Sequence, residues 1–232
     1  HTLRADPLYA AIAPIKRCLV TARVSTQLMF SFQPVGRIFS EQLYVFPFDS
    51  YTSFSILQSR IHTSWAWLHS STMKNDLRYS AGDAFFVFPF PSRNGKDIIQ
   101  DVENVGRKLY ENRSELMVET DLGLTKTYNA LKEPECNDRG ILELRILHEA
   151  QDRAVLDAYG WTDIEVPPYC PLTPDEEAAV EAFNDEVIDR LYVLNAERAA
   201  EEKQQDASTK KRAPKKAAKK KPPEANPTLD LF

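Results

Sequence analysis

The chemistry of the chain changes abruptly near residues 96 and 203, and those two breaks limit which residues can share a core. Residues 1–96 hold 10 lysines and arginines against 5 acidic residues, residues 97–202 hold 10 against 26, and residues 203–223 hold 9 against 1. These balances of +5, -16 and +8, with Glu224 and Asp230, give the 232-residue chain its net charge of -5. The segment QQDASTKKRAPKKAAKKKPPEANPTLDLF is low in complexity and almost free of apolar residues before Leu229. It cannot bury enough surface to offset the entropy of ordering, so residues 204–232 are expected to be a disordered, Lys-rich tail. A core must come from the first 203 residues, and an apolar fraction of 43% is ample for one. The charge partition predicts separate duties: the first block can face an anion, the second cannot do so broadly, and the third is polycationic.

Other bulk features narrow the class. No apolar run approaches the roughly 20 residues needed to cross a bilayer, so no membrane partner is expected. The opening HTLRADPLYAAIAP lacks both an initiator Met and an apolar signal region, as expected of a piece taken from inside a longer chain. Cys18, Cys136 and Cys170 are scattered, with no C-x-x-C, which argues against a zinc site or a disulfide framework and fits the cytoplasm.

Periodicity gives the elements. RCLVTARV, QLMFSF and RIFSEQLYVFPF are short, β-prone runs and read as strands. Asp49 or Ser50 caps a helix in which Phe54, Leu57, Ile61, Trp65 and Leu68 recur at spacings of three and four, on one face. DAFFVFPFP reads as a last strand, placed at an edge or cut short because proline has no amide to donate. Its rings read as a wedge of core. After Ser92 the pattern turns helical: residues 97–119 carry Ile98, Val102, Val105, Leu109 and Leu116, and Asn137 caps a helix ending near Gly160. Thr173-Pro174-Asp175-Glu176 is a capping box that opens a helix to about Lys203. The fold class is therefore α+β, with a mixed sheet-and-helix domain over 1–96, a helical region over 97–203 and the tail over 204–232.

Catalytic chemistry finds little support. No P-loop, G-x-G-x-x-G or G-x-S-x-G occurs. His62 and His69 lie two turns apart on one predicted helix with no carboxylate placed to complete a metal site, so packing roles suit them better. VPPYCP resembles the Asn/Asp-Pro-Pro-Tyr motif of amino-methyltransferases, but Val166 stands at the polar position and cannot accept a hydrogen bond from a target amine. Pro167-Pro168-Tyr169 reads instead as a stiff connector between helices. The dense Glu and Asp of the second block read first as a solvated helix face.

Taken in order, LVTARVSTQLMFSF, FSEQLYVFPFDSYTSFSILQSRIHTSWA, LRYSAGDAFFVFPFP, GLTKTYNALKEP and LRILHEAQDRAVLDAYGW resemble the C-terminal part of large bacterial adenine-N6 DNA methyltransferases. That family comprises the MmeI-like Type IIL restriction–modification enzymes and related phage-defence methyltransferases such as that of DISARM. The resemblance implies a target-recognition domain that reads DNA, followed by helices. It implies double-stranded DNA and the upstream methyltransferase domain as partners, with other defence-system subunits as further candidates. S-adenosylmethionine is implied for the parent protein. The family's cofactor-binding and Asn-Pro-Pro-Tyr motifs are absent from these residues, so no cofactor is expected on them and they should not methylate DNA alone.

Among the basic residues of the first block, which include Arg60 and Arg93, Arg23, Arg37 and Arg78 are the candidates for DNA contact, with Tyr79 beside them able to present a polar tip. Arg78 has a competing role, pairing with Asp76 or Asp83 to brace the SAGD turn. Lys210, Lys211, Arg212, Lys215, Lys216, Lys219, Lys220 and Lys221 are the candidates for a nonspecific phosphate-binding arm, against the alternative of a passive solubilising end. A rival of a different class is a scaffold whose acidic helices dock a partner protein and whose lysine tail is its sole nucleic-acid contact.

Overall fold

Strand β1 (Arg17–Ala22) is the hub of the first half, because its sequence lets it bury both faces. It pairs antiparallel with β3 (Ser31–Pro34) on one side and β4 (Leu43–Phe46) on the other, so that Leu19 stands opposite both Phe32 and Phe46. Leu19 enters the main core, whereas Cys18 and Val20 pack with Ile12 of α1 (Asp6–Ile12). A second antiparallel sheet has the order β2-β6-β5, built from β2 (Val24–Ser25), β5 (Ser71–Met73) and β6 (Asp76–Arg78). The computed structural model describes residues 6–92 and 95–212.

The expected long helix is two helices, α2 (Tyr51–Gln58) and α3 (Arg60–His69). Ser50 and Ser59 each act as an N-cap, accepting from Ser53 N–H at 3.1 Å and His62 N–H at 3.3 Å. Ser59 adopts extended geometry (ψ 158), which breaks the helix without disturbing its apolar face. Phe54, Leu57, Ile61 and Trp65 are buried, while Leu68 is exposed.

The ring-rich segment is not a strand. Ser80 Oγ accepts the Asp83 N–H at 3.1 Å and donates to Asp83 Oδ2 at 2.7 Å, closing a single π-helical turn over Ala81–Phe85. Trp65 Nε1–H pins that turn through the Ala84 carbonyl at 3.0 Å. Pro89 and Pro91 then supply no amides for a ladder. The rings nevertheless form the expected wedge: Phe85 lies 4.6 Å from Phe46 and Phe88 lies 4.6 Å from His62, centroid to centroid. Phe86 alone of these rings turns outward, 77% exposed.

Four further helices follow: α4 (Gln100–Thr120), α5 (Leu124–Leu131), α6 (Arg139–Tyr159) and α7 (Pro174–Arg212). Gly106 lets α4 press against α2, since a Cβ there would lie 2.0 Å from Ser55 Oγ and 2.7 Å from the Tyr51 carbonyl. Asp138, rather than the expected Asn137, caps α6 through the Ile141 N–H at 3.0 Å, and Gly160 ends it at φ 78. Thr173 Oγ1 accepts from Glu176 N–H at 3.3 Å with Pro174 as the first residue of α7. Leu19, Phe30 and Phe54 share one core cluster with Leu109, Leu131 and Leu144, so the compositional break at residue 96 does not interrupt the packing.

The chain divides into two units, residues 1–195 and residues 196–232. In the second, residues 196–212 are helical, so Lys210, Lys211 and Arg212 belong to a helix where disorder was expected. Lys215, Lys216, Lys219, Lys220 and Lys221 lie outside the described residues. Among the described residues, no helix is long and apolar enough to cross a membrane.

Candidate nucleic-acid interface

Arg23 and Arg78 are 55 positions apart in sequence, and the second sheet makes them neighbours. Val24 stands opposite Arg78, and Tyr79 N–H donates to the Arg23 carbonyl at 2.9 Å. Both side chains are exposed. The Arg23 guanidinium lies 4.9 Å from the Tyr44 ring centroid and donates to the Glu41 carbonyl at 3.0 Å, which fixes its direction. Arg78 has no carboxylate of the described residues within 4.0 Å. Asp83 is instead engaged with Ser80, so the bracing of the turn does not use Arg78. Arg78 sits on the central strand of the second sheet, between Val24 and Ser71, with its guanidinium available.

Tyr79 does not join them. Strand alternation turns Leu77 and Tyr79 inward and Arg78 outward. Tyr79 is 2% exposed, and its hydroxyl is hydrogen-bonded to His62 Nε2 at 3.0 Å. Burial raises the Tyr79 phenol well above its usual range and lowers the His62 imidazole to about 3, so both are neutral. The expectation of a polar tip at the surface is therefore corrected: Tyr79 is core. His69, partly shielded from water, packs against Trp65 with ring centroids 4.0 Å apart and planes tilted by 39°. No group of three or more His, Cys, Asp or Glu among the described residues is placed to hold a metal.

Arg37 is exposed and donates to Gln33 Oε1 at 3.0 Å, in the turn after β3. Because Pro34 pairs with Arg17, Arg37 lies toward the opposite end of β1 from Arg23. The three candidate arginines thus split into a pair and a distant third.

Arg60, one of the basic residues of the first block, is spent inside the fold. Its Nε donates to Asp152 Oδ2 at 2.5 Å, and its terminal nitrogens donate to the carbonyls of Pro167 and Pro168 at 2.7 and 3.0 Å. Val166-Pro167-Pro168-Tyr169 is therefore a braced connector, with Tyr169 stacked on His148 at 4.5 Å. Sequence reasoning had no means of separating Arg60 from Arg78, beyond the position of Arg60 directly after a capping serine on an apolar helix face. Arg93 lies outside the described residues. A separate cleft of about 770 Å³ lies beside Arg60, with Trp67, Lys132 and Tyr169 among its walls. Several of its polar groups are already paired: Gln58 with the backbone of Leu28 and Phe30, and Ser64 with Asn184.

Residues 18–92, from Cys18 within β1 to Ser92 after the ring segment, match the family described as MmeI, target recognition domain. The fold extends the likeness further: 78% of the chain superposes on the solved Type IIL restriction-modification enzyme MmeI, a structure determined in complex with DNA, with a TM-score of 0.51 and 19% identity. At that identity the likeness is one of fold. The chain spans 22% of the length of that enzyme. No curated protein matches the chain.

Proposed function

We propose that residues 18–92 read a DNA sequence on behalf of a larger S-adenosylmethionine-dependent, adenine-N6-specific DNA methyltransferase in restriction–modification or phage defence. The observation that carries this reading is the juxtaposition of exposed Arg23 and Arg78 on a segment that matches the MmeI target recognition domain. An arginine on a rigid strand can offer two parallel hydrogen bonds to the O6 and N7 of guanine, which discriminates by about 1–3 kcal/mol against the wrong base. Methyl transfer belongs to the upstream methyltransferase domain, which would flip the target adenine out of the duplex. The residues of this chain supply register and sequence choice. Incubated alone with tritiated S-adenosylmethionine and duplex DNA, the chain is expected to incorporate no label.

Selection of duplexes from a random pool by the purified chain tests the reading. Enrichment of one short sequence is expected. Salt-sensitive binding with no enrichment would contradict sequence reading and favour the scaffold alternative, in which acidic helices dock a protein and only the lysine tail meets nucleic acid.

A further inference from the structure

At the end of β1 opposite Arg23, a second basic site has been assembled from both halves of the chain. Arg17 begins β1, and its guanidinium carbon lies 3.7 Å from the Phe32 ring centroid and 4.3 Å from that of Tyr51. Arg107 on α4 approaches the same Tyr51 ring, at 5.2 Å. The two guanidinium groups are therefore no more than about 9.5 Å apart. Arg17 donates from Nε to the Asp49 carbonyl at 3.0 Å, which leaves its two terminal nitrogens unengaged among the described residues. Arg107 is exposed, and no carboxylate of the described residues lies within 4.0 Å of either cation. Glu103, one turn before Arg107, is committed to the Thr52 amide and hydroxyl, at 2.5 and 2.9 Å.

Two unneutralised cations beside one ring repel each other, and an anion within reach of both offsets that cost. The packing shows that the approach is built rather than incidental. Gly106 admits the Tyr51 carbonyl and Ser55 at distances no side chain would allow, and that contact carries Arg107 to Tyr51. The rings restrict both guanidinium groups before any ligand arrives.

We infer that Arg17 and Arg107, held by Phe32 and Tyr51, form a binding site for a phosphate-ester anion, and that its occupant is the DNA backbone. The inference rests on the proposed DNA reading and goes beyond it, because it brings α4 of the acidic half into the interface. The site contacts phosphate and so sets register, whereas Arg78 reaches bases. Arg17 and Arg23 are six residues apart along the strand, about 20 Å at about 3.3 Å per residue. At about 3.4 Å per base step along each DNA strand, the two contacts stand about six steps apart.

The test uses the whole chain and two probes. Inorganic phosphate is titrated while the arginine Nε–H signals of Arg17 and Arg107 are followed by NMR. The salt dependence of binding to random-sequence duplex is measured for wild type, Arg107→Gln and Arg17→Gln, each with a thermal melt to verify folding. Phosphate is expected to shift both arginine signals, and Arg107→Gln is expected to lower the salt slope by about 1 while keeping the wild-type melting temperature. If wild type binds duplex and neither variant changes the slope, the inference is overturned and the recognition reading stands. If phosphate shifts the signals but wild type binds no duplex, the site takes free phosphate, and both the backbone occupant and the recognition reading are overturned. If phosphate shifts neither signal and wild type binds no duplex, no anion site exists there.

Discussion

Arg23 and Arg78, exposed on the second sheet and directly before it, differ from Arg60, Arg113 and Arg145 in the interior by what their donors meet. Arg113 donates to the Tyr128 hydroxyl and the Phe30 carbonyl, both at 3.0 Å, and lies over the rings of Phe54 and Tyr110. Arg145 collects the carbonyls of Leu131 and Glu133, at 3.0 and 2.6 Å, where α5 ends. Arg60 ties α3 to α6 and to the proline connector. These three cations serve to join segments. Among the described residues, Arg78 joins nothing through its side chain, and Arg23 is steered by its contacts without a carboxylate to neutralise it. Net charge therefore overstates the cation available to a ligand in both halves, and surplus has to be judged donor by donor.

If that distinction holds, substitutions of the two sets differ in kind. Arg60→Ala leaves Asp152 buried without its partner and is expected to cost about 3–5 kcal/mol, measured by urea denaturation. A loss below about 1 kcal/mol would show that water replaces the guanidinium and that the interior set is not structural.

The interior is also expected to respond to acid. Burial holds His62 and His148 at about 3, well below the usual 6.5. Their neutral forms contribute stability that is fully present above pH 6.5 and is lost as pH falls toward 3, because the unfolded chain binds protons that the folded chain refuses. At pH 5 the loss is about 2 kcal/mol for each histidine. Equal denaturation midpoints at pH 7 and pH 5 would mean that both rings are hydrated.

Gly106→Ala tests the seam between the halves. The added methyl meets Ser55 and backbone oxygen, so α4 must move from α2, at a cost of about 1–3 kcal/mol read by thermal melting. An unchanged melt would indicate that the seam is loose, and Arg107 would then lose its reason for facing Tyr51.

Much of this could be read in the sequence, and the failures have specific causes. The apolar run at 17–22, the capping serine at 50, and the Thr173-Pro174 box each state a local rule that the fold obeys. The ring segment misled because Phe and Val favour strands, while Ser80 caps a π turn through Asp83 instead. The β5–β6 hairpin escaped notice because Lys74 takes positive φ (58), a conformation its side chain does not advertise. The site was half legible. Composition pointed to the first block, but the meeting of Arg23 and Arg78 depends on a two-residue strand pairing that no local pattern announces. Tyr79 was misplaced because its burial depends on an alternation with Leu77 that continues from β6, a strand too short to recognise.

Methylation-site sequencing of the parent enzyme carrying Arg78→Ala separates an arginine that reads DNA from the interior arginines that hold the fold. Stability should change by less than about 0.5 kcal/mol, as for a surface substitution. The methylated site is expected to be relaxed at one base position, with an unchanged melting temperature and unchanged S-adenosylmethionine binding. An unaltered site with a lower melting temperature would place Arg78 among the residues that only support the fold.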